Sequence, residues 1–168
     1  MQKIILEANA TASSTGISLY DLMKNRLLYY IDLNREIERE SDRLERLEDK
    51  ATSPSSPSLS GMPKAPTYSG DRMADTVGKI ADLRRRINKL IDERNREKDQ
   101  IETLVQSLNK SDERAVIRNR YLDLEDWDEV MFVLFGGETD FNERYDEYKQ
   151  KMFRWHRSAI SKMAMLVS

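Results

Sequence analysis

From Lys149 to its last residue the chain carries Lys149, Lys151, Arg154, Arg157 and Lys162 and no acidic residue. At about 100° per residue along a helix, counted from Met152, the side opposite the apolar seam presents Gln150, Arg154, Arg157, Ser158 and Ser161, with Lys151 on its flank. Guanidinium and carboxamide groups make paired hydrogen bonds to base edges, and lysine ammonium groups neutralise phosphate, so this stripe has the chemistry of a double-stranded DNA contact. Arg114, Arg118 and Arg120, on a preceding helix, are suited to holding a nucleic-acid backbone. A basic helix face is also what a solvated surface looks like, and spacing alone leaves both readings open.

Catalytic chemistry finds little to work with. The chain has no cysteine, which removes disulfides, thiolate metal sites and thiol nucleophiles together. Its one histidine, His156, sits in the basic segment without a partner for a metal site or a nucleophile pair, and reads as a polar residue flanking the Trp155 seam. Glu125-Asp126 and Asp128-Glu129 are better explained by helix capping than by general acid-base work. Gly136-Gly137 lacks the further glycine and lysine of a phosphate-binding loop. The sequence therefore predicts no catalytic residue, no metal site, no cofactor and no enzyme.

Composition points to extended helices rather than a thick globule. With 35% charged and 39% hydrophobic residues and only 8% aromatics, the 168 residues have too little apolar material for one large core, whereas long helices with narrow seams need less. A net charge of −2 does not by itself favour nucleic acid, so the local distribution of charge decides. No apolar run approaches the roughly 18 residues of a membrane span, and Met1 to Ala12 lacks a signal-peptide pattern. The expectation is a cytoplasmic protein with no membrane contact.

The elements that must position the stripe follow from periodicity, and the predicted class is all-α. Residues 1–16 read as a flexible arm. Ser18 offers an N-cap, and Leu27, Tyr30, Asn34, Ile37, Ser41 and Leu44 alternate at spacings of three and four, predicting a helix from about Leu19 to Lys50. Residues 52–70 hold all four prolines and read as a linker. A second helix is predicted from about Asp71 to Leu108, with Met73, Val77, Ile80, Arg84, Ile87, Ile91, Arg94, Lys98, Ile101, Val105 and Leu108 on one seam. An antiparallel hairpin over 17–110 is the economical pairing. The polar residues Asn34, Ser41, Arg84, Arg94 and Lys98 either specify register or oligomeric state, or lie at a solvated margin.

Residues 111–168 change character and predict a three-helix, helix-turn-helix-like unit. Ser111 is expected to cap a helix whose apolar face is Val116, Ile117, Tyr121 and Leu122. Asp126 and Glu129 form a capping box for a second helix carrying Trp127, Val130, Met131, Leu134 and Phe135, which Gly136-Gly137 ends. Asp140 and Glu143 repeat the box before a third helix with Phe141, Tyr145, Tyr148, Met152, Trp155, Ala159 and Met163 inward.

Three stretches, TSPSSPSLSGMPKAPTYSGDRMADTVGKIADL, NRYLDLEDWDEVMFVLFG and KMFRWHRSAISKMA, resemble a family of small phage and prophage proteins from Gram-positive bacteria, over about residue 50 to the end. The wider group includes late transcriptional regulators of the RinA and ArpU type, whose C-terminal part is similar to region four of sigma factors. The resemblance implies that Arg120-Tyr121-Leu122 ends the first helix of the motif and that Trp127-Asp128-Glu129-Val130 lies on the supporting helix. It also implies that Arg154, His156, Arg157 and Ala159 fall in the recognition helix, with Trp155 and Ala159 inward. One departure matters. The segment GGETDFNERYDEY before the basic stripe is longer than the usual turn, and Glu143, Asp146 and Glu147 would repel phosphates where a recognition helix normally enters the groove. Either contact comes from the middle of the helix, or this surface binds protein.

The leading expectation is thus a phage-type transcriptional regulator that binds promoter DNA through Gln150 to Ser161 and uses the hairpin to form a homo-oligomer or to touch RNA polymerase. Its rivals are a packaging or structural DNA-binding subunit of a phage, and a module that binds only another regulator or polymerase.

Overall fold

A computed structural model of the chain describes residues 18–52 and 69–167. The arm expected at 1–16 and most of the linker expected at 52–70 lie outside the described residues; at its edges Thr52, Ser69 and Gly70 are helical. The fold is all-helical, with no strand among the described residues. Helix α1 spans Leu19–Thr52, α2 Ser69–Gln106, α3 Ser111–Ile117, α4 Trp127–Phe135 and α5 Tyr145–Val167. A π-helical turn, Arg118–Leu122, continues α3.

The start of α1 is fixed where the sequence places it. The Ser18 hydroxyl accepts from the Asp21 amide at 3.1 Å, and Leu22 N–H donates to the Ser18 carbonyl at 3.0 Å. The two long helices pack together, and each contributes to two compact units, one formed by 18–32 with 95–167 and the other by 33–52 with 69–94. This division does not coincide with the boundary expected at 110/111. In the larger unit Leu27, Tyr30, Ile101 and Val105 share a single apolar cluster with Ile117, Tyr121, Ala159, Ile160 and Met163, so the ends of the long helices and the C-terminal helices are one core.

The smaller unit is thinner. It buries Leu33, Leu83 and Ile87, and is laced by ion pairs from Arg86 to Glu36 at 2.8 Å and from Arg84 to Glu48 at 2.7 Å, which run in antiparallel order. Of the polar seam residues, Ser41, Arg84 and Lys98 are exposed, so the solvated margin holds for them; Asn34 and Arg94 are half-buried. Met73 and Val77, expected on the seam of α2, are exposed. Exposed pairs of this kind contribute little individually, about 0–1 kcal/mol, so the unit depends on its few buried residues.

Of the three caps expected in the C-terminal part, one forms as written. Asp126 accepts from the amides of Asp128 and Glu129 at 2.9 and 2.8 Å, while the Glu129 carboxylate accepts from the Asp126 amide at 2.7 Å, a complete capping box that opens α4. Ser111 does not cap α3. Lys110 holds the N-cap position without a side-chain bond, and Ser111 is already the first helical residue. The Asp140-Glu143 box is absent too, because α5 begins only at Tyr145. Asp140 instead accepts from the Tyr148 hydroxyl at 2.8 Å and pairs with Arg144 at 3.0 Å, partners that compete for the carboxylate a cap would use. Between the box and the π turn, Leu124 adopts φ 63°, a left-handed conformation unusual for a branched side chain.

Candidate nucleic-acid interface

Helix α5 is held in one rotation by what it buries. Met152, His156, Ala159, Ile160, Met163 and Ala164 face inward. Met152 lies in a second apolar cluster with Val116, Val130, Met131 and Phe135, while Ala159, Ile160 and Met163 enter the cluster shared with the long helices. Aromatic contacts bracket this seam. Trp127 meets Phe153 at 4.9 Å, and Phe135 meets Tyr148 at 4.7 Å and Trp155 at 5.5 Å between ring centroids. Each ring approaches from α4 or from the helix itself, so α4 supports one flank of α5.

A buried carboxylate fixes the other flank. Glu113 is 1% exposed, yet it accepts from the Ser158 hydroxyl at 2.8 Å and from Lys162 Nζ at 2.8 and 2.7 Å. Burial alone would raise its pKa. The hydrogen bonds from Lys162 and Ser158 outweigh that and hold the carboxyl below its ordinary value. Since Ser158 and Lys162 stand one turn apart on α5, this cluster ties both the register and the rotation of α5 to α3.

His156 is part of the core. It is 6% exposed, its Nε2 is 2.9 Å from the Tyr121 hydroxyl, and its ring stands edge-on to Trp127 at 5.0 Å. Burial, reinforced by the positive charges of Lys24, Arg120 and Arg157, lowers its pKa to about 4. Burial likewise pushes the Tyr121 hydroxyl up to about 12. The expectation that His156 merely flanks the Trp155 seam is thereby corrected: the inward side of α5 runs through His156, and Trp155 is only half-buried.

The opposite side of α5 carries the stripe. Gln150, Arg154 and Arg157 are exposed and, with half-buried Phe153, line a shallow depression of about 550 Å³. Among the described residues, neither Arg154 nor Arg157 has an ion-pair partner. Lys151 is exposed on the flank, its ammonium 4.9 Å from the Trp155 ring and 5.6 Å from that of Phe135. Ser161 is half-buried.

The remaining expected contacts have other commitments. Ser158 donates to Glu113. Arg114 donates to the Leu108 carbonyl just past the end of α2, and Arg118 pairs with Glu102. The structure therefore brings together Gln150, Arg154 and Arg157 on one face with Lys151 on its flank, and engages Ser158, Arg114 and Arg118 within the protein.

Sequence reasoning missed Phe153 on this surface and Lys24 beside the buried His156. Phe153 is one turn from Gln150, and its place beside the stripe is legible from that spacing. Lys24 acts on His156 together with Arg157, but comes from α1, and no local pattern announces that proximity.

The acidic lead-in is partly neutralised. Arg144 pairs with Glu147 at 2.6 Å as well as with Asp140, and Tyr145 donates to Asp128 at 2.8 Å, whereas Glu143 and Asp146 remain exposed. Among the described residues, no cluster of His, Asp and Glu side chains is arranged to hold a metal ion, and no helix is long and apolar enough to cross a membrane. No protein-family model, curated protein or solved structure matches the chain.

Proposed function

We propose that this chain is a transcriptional regulator of the phage type that binds duplex DNA with the middle of α5. The observation that carries the reading is the pair Arg154 and Arg157, exposed beside Gln150 on one helical face and without ion-pair partners among the described residues. Arg26, Arg84, Arg86, Arg118 and Arg144, by contrast, each pair with a carboxylate. At 1.5 Å per residue, Gln150 to Arg157 spans about 10 Å, or roughly three base pairs along a groove.

Approach from the middle of the helix fits the charge distribution. Exposed Glu143 and Asp146 precede and begin α5, whereas no acidic residue follows Glu147. The nine residues from 136 to 144 are longer than the three- or four-residue turn of a standard helix-turn-helix, which gives α4 a supporting role through Trp127 and Phe135. Such a protein would act in the bacterial cytoplasm, and the long helix pair would serve a second copy or RNA polymerase.

A pure protein-interaction module is the second reading, favoured by Phe132 and Val133, adjacent on α4 and 68% and 58% exposed. Fluorescence anisotropy on labelled duplexes over a series of salt concentrations separates the two. DNA binding predicts salt-dependent affinity that falls when Arg154→Ala and Arg157→Ala are combined. An arginine that reads a base should cost about 1–3 kcal/mol on removal, and one that neutralises a phosphate should reduce the salt slope by about 1. Unchanged binding in the double variant refutes the site, and no salt-dependent affinity at all refutes the DNA reading.

A further inference from the structure

The depression on α5 has an apolar component that phosphate binding does not need. Phe153 is braced on one side by Trp127 at 4.9 Å, and what remains of its surface lines the depression between Gln150, Arg154 and Arg157. A contact made only with the sugar-phosphate backbone would be served by the cations alone. In the major groove, the apolar group that base edges present is the thymine C5-methyl, alongside the guanine acceptors suited to arginine and the adenine donor-acceptor pair suited to glutamine.

We infer that Phe153 is a specificity-determining residue that contacts a thymine methyl within the sequence read by Gln150, Arg154 and Arg157. This rests on the DNA-binding reading above and names what the same surface recognises. Phe153 is adjacent to Arg154 and one turn from both Gln150 and Arg157, so its reach along the helix axis is about 5 Å from either end of the stripe. The thymine therefore lies within about two base pairs of the pairs whose identity Arg154 and Arg157 determine.

The test uses the whole chain and starts from a randomised duplex pool, from which bound sequences are selected and the enriched core is determined. Each thymine of that core is then replaced singly by uracil, which removes only the C5-methyl. One replacement is expected to weaken binding by about fourfold, the effect of one buried carbon group, at a position within two base pairs of those whose preference disappears in Arg154→Ala or Arg157→Ala. Phe153→Ala should bind the thymine and uracil duplexes equally; Phe153→Leu, which keeps apolar volume beside Trp127, should retain part of the preference.

A core without thymine, or one in which every uracil duplex binds within twofold of its parent, overturns the inference while leaving DNA binding intact. Discrimination that persists in Phe153→Ala overturns the assignment to Phe153. A pool from which no sequence is enriched and none is retained removes the DNA-binding reading itself, and the inference with it.

Discussion

Replacing His156 by glutamine should remove a large part of the protein's acid sensitivity. His156 is buried against Tyr121 and Trp127 and faces the charges of Lys24, Arg120 and Arg157, so adding a proton places a cation in a dry, already positive environment. Its pKa falls from 6.5 to about 4 on folding. Because the folded value is the lower one, the unfolded chain binds the proton first as pH falls. The stabilisation from a neutral His156 is complete above about pH 6.5 and is lost between about pH 6.5 and 4.

At about 1.4 kcal/mol per pKa unit, the full loss is about 3 kcal/mol, and of this about 2 kcal/mol is gone by about pH 5. Urea unfolding followed by circular dichroism at about pH 7.5 and about pH 5 measures it. The wild-type chain should lose about 2 kcal/mol more than His156→Gln between the two, since glutamine keeps a hydrogen-bonding group for Tyr121 and takes up no proton. Equal losses in both proteins, or a His156 resonance that titrates near 6.5 in the folded chain, would refute the reasoning.

Two further predictions concern what holds α5 and α4. Glu113→Gln should cost about 1–3 kcal/mol at neutral pH, because the new amide turns donors toward Lys162 and Ser158; equilibrium unfolding checks this, and a loss below about 0.5 kcal/mol would show that the cluster does not fix α5. The contribution of Glu113 has the usual carboxylate sign, present above the ordinary carboxylate pKa and lost as pH falls through its lowered value. Gly136→Ala should destabilise the larger unit by about 1–3 kcal/mol, since its Cβ would press on the Phe132 carbonyl oxygen and lie 3.0 Å from the Phe132 ring; a melting temperature equal to that of the wild type would contradict it.

The parts of the fold legible from sequence are those governed by neighbours within a turn or two. The Ser18 cap and the Asp126-Glu129 box each need only groups three residues away, and both form as written. The box at Asp140-Glu143 has the same spelling but a different outcome, because the carboxylate of Asp140 is claimed by Tyr148 and Arg144, which the motif does not mention. The exposed part of the stripe was legible for a similar reason. Gln150, Arg154 and Arg157 share a face by helical geometry alone, and burying Met152 on the other side leaves them outward.

What sequence could not supply was the environment each side chain meets across the core. Ser158 belongs to the stripe by angle, yet Glu113, 45 residues away in the chain, takes its hydroxyl; Arg114 and Arg118 look available until the Leu108 carbonyl and Glu102 are brought beside them. His156 reads from sequence as a polar residue flanking the Trp155 seam, and it becomes a neutral core group because Tyr121 and Trp127 close over it. Periodicity along one helix thus determined which residues of α5 point together, since 3.6 residues per turn is a property of the backbone. Tertiary packing alone decided which of those residues keep their charge for a partner, since desolvation and pairing depend on groups that only folding brings near.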